Sequence, residues 1–183
     1  MPVNPINCEL GSKATNFKLL SINEKTYTLN ELKGENGTVI VFICNHCPYV
    51  KSIANRLSNE AKELLKIGIK TIAIMSNDVE NYPDDSFENM KKFAEFYKFG
   101  FPYLYDEDQS VARKYNAICT PDFFGFNRFL LLQYRGRIDS AVDKNNKQNI
   151  KRELFDAMKL ISSTGYGPSE QIPSIGCSIK WKK

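Results

Sequence analysis

The clearest pattern in the chain is an unbroken apolar run, Val39-Ile40-Val41-Phe42-Ile43-Cys44. After a short break, Val50, Ile53, Ala54, Leu57, Ala61 and Leu64 recur at helical spacing. A continuous β-branched and aromatic run predicts a strand covered on both faces, here residues 38–43 with Cys44 at its end. The second pattern predicts an amphipathic helix that Pro48 opens and Gly68 ends. Residues 69–75 read as another buried strand, so the three elements predict a βαβ unit with a parallel pair and a right-handed crossover.

Further along, Phe87, Met90, Phe93, Ala94 and Tyr97 mark a second helix, with Asp85 and Glu88 spaced as a capping box. Residues 101–105 predict a short strand, and 110–115 a small helix opened by Asp106 or Asp108. Residues 123–126 and 131–135 predict a hairpin whose turn, Asn127-Arg128-Phe129-Leu130, is more apolar than turn chemistry explains. After the polar stretch 143–149, a last helix places Ile150, Leu154, Met158 and Ile161 on one face. Residues from about 163 to 183 read as an irregular tail lying on the surface. This order predicts an α/β domain with a mixed sheet.

A length of 183 residues with 42% hydrophobic content predicts one core, hence a single domain over 1–183. Lys and Arg outnumber Asp and Glu by 25 to 21 without basic blocks, which argues against nucleic acid as a partner. The N-terminal residues have neither the basic start nor the apolar stretch of a signal peptide, and no apolar run approaches the roughly 18 residues of a membrane span. A cytoplasmic protein with no membrane partner is the expectation. Five cysteines, an odd and sparse set, do not resemble the disulfide framework of a small secreted domain.

Two of them form Cys44-Asn45-His46-Cys47. With Pro48 as the first helical residue, Cys47 falls at the helix N-cap, where free N–H groups and the helix dipole stabilise an anion and lower a thiol pKa. His46, the only histidine, lies between the cysteines and is a candidate for further stabilising the thiolate. Zinc needs a second cysteine pair or suitably spaced histidines. Neither exists, so no metal and no cofactor are expected.

Several segments together resemble the redoxin (AhpC/TSA) family of the thioredoxin superfamily, in its peroxiredoxin-like branch. They are Gly11 with Phe17-Lys18-Leu19-Leu20, Val41 to Lys51 around the cysteine pair, Ser76-Asn77-Asp78, Phe101-Pro102-Tyr103-Leu104-Tyr105-Asp106, Thr120-Pro121-Asp122-Phe123-Phe124, Tyr134-Arg135-Gly136-Arg137-Ile138-Asp139 and Pro173 to Trp181. The resemblance implies a thioredoxin-like fold, a central mixed sheet flanked by helices, carrying an N-terminal extension. It also implies that Pro121 is a cis-proline opposite the reactive cysteine, with Thr120 and Pro48 lining the substrate side. In the register counted from Phe42, Cys47 holds the nucleophile position, Val50 replaces the usual second cysteine, and Cys44 stands where a typical peroxiredoxin has threonine. Ile40 replaces the family's upstream proline, and no arginine directly follows Pro121, which leaves Arg128, Arg135 or Arg137 as substitutes.

The implied activity is thiol–disulfide exchange, with Cys47 as nucleophile and Cys44 resolving. The alternatives are a thiol peroxidase, resolved by Cys44 or Cys177, and a binding module without turnover. Implied partners are a protein or small-molecule disulfide or a peroxide, with a thiol reductant such as thioredoxin or glutathione; the oligomeric state stays open. Cys8 and Cys119 are assigned to packing, and so, with less weight on chemistry, is Cys177.

Overall fold

The structure, a computed structural model, describes residues 2–3, 9–141 and 150–183; Cys8 and the polar stretch 143–149 lie outside them. The elements are β1 (Pro2–Val3), β2 (Lys18–Ser21), β3 (Thr26–Thr28), α1 (Leu29–Leu32), β4 (Gly37–Phe42), α2 (Pro48–Lys66), β5 (Ile69–Met75), α3 (Phe87–Phe96), β6 (Tyr103–Tyr105), α4 (Ser110–Lys114), β7 (Cys119–Thr120), β8 (Asp122–Asn127), β9 (Leu132–Gly136), α5 (Glu153–Thr164) and β10 (Gly176–Ser178). Seven strands form one mixed sheet in the order β3-β2-β6-β5-β4-β8-β9. At its centre β4 runs parallel to β5 and antiparallel to β8.

Every residue of β4 is buried. Alternation sends Val39 and Val41 into a core shared with Leu57 of α2, Met90 of α3 and Met158 of α5. It sends Ile40 and Phe42 into a second core with Leu29 of α1 and Val111 and Ala112 of α4. A strand with helices on both faces has no solvent side, which is why its sequence shows no polar alternation. Among the described residues no helix is long and apolar enough to cross a membrane.

Four expectations change. The N-cap of α3 is Ser86, because Asp85 ends a 3-10 turn (Pro83–Asp85) and turns its carboxylate elsewhere. Helix α5 starts only at Glu153, leaving Ile150 outside it and 41% exposed. The apolar hairpin turn is explained by Asn127, whose side-chain oxygen accepts from the N–H groups of Phe129 and Leu131, both at 3.0 Å, while Leu130 packs into the second core. The tail is not a surface appendage. Its strand β10 lies between β1 and β7 in a second, three-stranded antiparallel sheet.

Candidate active site

The site begins where β4 runs out. Ile43 still donates its N–H to the Ile74 carbonyl at 3.0 Å, and the chain leaves the sheet at Cys44. Cys47 is the N-cap of α2 in extended conformation, with Pro48 in the first turn, and its carbonyl accepts the first helical bond from Lys51 at 3.0 Å. The position read from Pro48 is therefore the observed one, and the sulfur stands at the positive end of a 19-residue helix.

The second wall comes from the neighbouring strand. Because β8 pairs with β4 in the register Phe42↔Asp122, the residues just before β8 lie beside the end of β4. The Thr120-Pro121 peptide is cis. Thr120 contacts both sulfurs: its Oγ1 is 3.2 Å from Sγ of Cys44, and its carbonyl oxygen 3.3 Å from Sγ of Cys47. The register is held below by Asp122, whose carboxylate accepts from Arg135 at 2.9 Å while the guanidinium packs over Phe124. Burial pushes the Asp122 carboxyl up to about 6, with Arg135 opposing the shift.

A third thiol completes the group. In the ladder between β10 and β7, Cys177 lies opposite Thr120, and its Sγ is 2.9 Å from Sγ of Cys47. Cys47 is wholly buried beneath it, whereas Cys177 keeps some exposed surface. The packing role expected for Cys177 is thus replaced by direct contact with the nucleophile position. Cys119, by contrast, is buried with its sulfur 3.6 Å from the Pro121 carbonyl, and burial raises its pKa, as a packing role requires.

Hydrogen bonding divides the three thiols. Cys47 is held well below the ordinary thiol range, first by the S–H of Cys44 and then, against the cost of burial, by the S–H of Cys177 and the backbone N–H groups of Val50 and Cys177. Cys44 moves strongly the other way, because it donates to Cys47, is buried, and faces the charge of Asp85. Cys177 is raised too, by burial first and by its bond to Cys47 second. Cys47 is thus the most acidic of the three thiols.

His46 joins the site differently from the sequence expectation. Its Nδ1 is 2.6 Å from Oδ2 of Asp85, and its ring stacks on Tyr82. Asp85 is fully buried and also accepts from the N–H of Asn45 at 2.7 Å, the N–H of His46 at 3.2 Å and the amide of Asn77 at 2.8 Å. A sulfur, an imidazole nitrogen and a carboxylate oxygen of Cys44, His46 and Asp85 lie within 4.8 Å of one another. These are metal-ligand types; His46 and Asp85 are joined directly, Asp85 serves four donors, and the Cys44 sulfur contacts Thr120 instead. Asp85 escaped sequence reasoning because its spacing to Glu88 fitted a cap.

The substitute arginines have other partners: Arg135 holds Asp122, Arg137 forms a two-bond pair with Glu153, and Arg128 lies over Phe129. Alongside Pro48 and Pro121, both expected on the substrate side, a cleft of about 450 Å³ opens between Tyr49, Ile53, Phe123 and Ile175. Its walls are mostly apolar.

The AhpC/TSA family profile matches residues 10–141, which include the cysteine pair and the cis-proline. The chain belongs to the AhpC/TSA family. Two solved structures resemble this AhpC/TSA protein over its whole length. An uncharacterized conserved protein from Geobacillus kaustophilus is 43% identical with a TM-score of 0.92, over 100% of this chain and 97% of that one. A hypothetical protein from Sinorhizobium meliloti 1021 is 35% identical with a TM-score of 0.91, over 98% of each. The peroxidoxin BcpB from Mycobacterium tuberculosis, 16% identical with a TM-score of 0.59 over 85% of this chain and 94% of that one, shares the fold. No curated protein matches the sequence. The fold is thioredoxin-like, as the resemblance implied.

Proposed function

We propose that this protein is a thiol–disulfide oxidoreductase in which the Cys47 thiolate attacks a substrate disulfide. The observation that carries the reading is the position of Cys47 at the N-cap of α2, against the residue that precedes a cis-proline; hydrogen bonding, with Cys44 first, holds its pKa below the ordinary thiol range. A thiolate is the species that attacks sulfur, and stabilising it also makes the resulting disulfide more oxidising. In the first step the Cys47 sulfur bonds to one substrate sulfur, the substrate S–S bond breaks, and the other sulfur leaves as a thiolate that takes a proton from solvent. A second thiol of the chain then displaces the first half of the substrate. Cys44 is the candidate that the sequence offers. An external dithiol resets the enzyme.

The apolar cleft beside Pro48 and Pro121 supports a peptide or other partly apolar disulfide as substrate. A peroxide is the second substrate class, supported by the family and by the fold shared with a peroxidoxin. The pairing of Arg135 and Arg137 with acids leaves that reading without the arginine such relatives use, so disulfide exchange leads. Steady-state turnover of a dithiol-coupled disulfide substrate tests the proposal, with peroxide run in parallel. Loss of disulfide turnover in Cys47→Ser supports it. Equal turnover in Cys47→Ser contradicts it, and a wild type that turns over neither substrate favours a binding module.

A further inference from the structure

We propose that Cys177, not Cys44, is the thiol that resolves the mixed disulfide on Cys47, closing a Cys47–Cys177 disulfide that ties the C-terminal strand to the start of α2. The inference rests on Cys47 being the nucleophile and names the group that completes its cycle.

Three observations carry it. The first is placement: Sγ of Cys177 is 2.9 Å from Sγ of Cys47, and the ladder that puts Cys177 opposite Thr120 fixes it beside the attacked sulfur. Gly176 makes that approach possible. A Cβ there would stand 2.1 Å from the Thr120 carbonyl oxygen. The chain on both sides of β10 is anchored: Ser174 Oγ donates to the Gly136 carbonyl at 2.8 Å, and Lys180 N–H donates to Asn77 Oδ1 at 2.9 Å. Cys177 therefore has a home position to return to after a substrate has displaced it.

The second is protonation after the first step. The Cys47 charge contributes to holding the protons on both neighbours. Once Cys47 is in a mixed disulfide that charge is gone. Cys177 is then left with partial burial and the favourable charge of Lys180, whereas Cys44 still faces burial and the Asp85 carboxylate. Cys177 becomes the better thiolate. The third is access, since Cys177 reaches solvent, which can take its proton, and Cys44 does not.

The step balances without an added oxidant. The Cys177 thiolate attacks Sγ of Cys47, the bond from Cys47 to the substrate sulfur breaks, and that sulfur leaves as a thiolate. Cys47 and Cys177 are oxidised together, and the substrate disulfide is reduced to two thiols.

The test is a single-turnover reaction of the reduced full-length protein with 5,5′-dithiobis(2-nitrobenzoate), counting thionitrobenzoate released and mapping disulfides by peptide mass. Wild type is expected to release two equivalents and yield a Cys47–Cys177 crosslink. Cys177→Ser should release one and retain the adduct on Cys47. Cys44→Ser should still release two, more slowly in the first step. Gly176→Ala keeps the thiol but blocks its register, so its second release should slow at least tenfold. A Cys44–Cys47 crosslink with two equivalents from Cys177→Ser overturns the assignment while leaving Cys47 as nucleophile. Absence of both a crosslink and an adduct at Cys47 in wild type and Cys177→Ser overturns both.

Discussion

Asp85 holds His46 by a bond of 2.6 Å between Oδ2 and Nδ1, and the same buried carboxylate accepts the backbone N–H groups of Asn45 and His46. It therefore shapes the whole turn between the two cysteines. Asp85→Ala leaves four donors without their acceptor and should cost at least about 3 kcal/mol of stability. Urea unfolding with an unchanged slope would read this directly. A loss within about 0.5 kcal/mol, the range of an ordinary surface change, would show that the turn does not depend on Asp85.

That residue also marks where the sequence was and was not legible. The centre of the fold could be read because β4 and α2 impose different apolar periods, and Pro48 fixes where the helix begins. The cysteine pair, Thr120 and Pro121 could be read because their chemistry is local or carried by the family resemblance. Asp85 could not, and Cys177 only as an alternative resolving thiol whose packing reading carried more weight. Each acts through a partner about 40 to 130 residues away, and neither has a local signature: an acid before a helix looks like a cap, and one cysteine among glycines and prolines looks like a tail.

Cys44 is expected to serve as a donor to the Cys47 anion. Cys44→Ala removes that donor, so the apparent pKa of Cys47 should rise by at least one unit. Cys44→Ser, which keeps a donor, should raise it less. The pH dependence of Cys47 carboxymethylation, followed by mass, gives both numbers. An unchanged midpoint in Cys44→Ala would remove Cys44 from the electrostatic account.

The thiolate also predicts how stability depends on pH. A thiol whose folded pKa lies below its unfolded value of about 8.5 stabilises the fold fully above that pH, and the contribution is lost as pH falls toward the folded value. Asp122 has the opposite sign: its folded value of about 6 exceeds the ordinary value of about 3.9, so its contribution falls as pH rises between about 4 and 6. Between about pH 6 and 8.5 only the Cys47 contribution of these two remains. The stability of reduced wild type relative to Cys47→Ser should therefore grow with pH across that window, measured by denaturant unfolding under reductant. A difference independent of pH would contradict a depressed Cys47 pKa.

Arg135 supports the cis-proline from below through its pair with Asp122, both nearly inaccessible to solvent. Arg135→Leu strands a buried carboxylate and should destabilise the fold by about 3–5 kcal/mol. Because Asp122 adjoins Pro121, disulfide turnover should fall as well. Full turnover in a destabilised variant would separate this ion pair from the site.

The central claim, that Cys47 is a thiolate at neutral pH, is tested most directly by titrating the ultraviolet absorbance of thiolate in the reduced protein and in Cys47→Ser. Wild type should show a one-thiolate step well below the ordinary thiol range, and Cys47→Ser should lack it. A wild-type titration with no ionisation below about pH 8 would contradict the account.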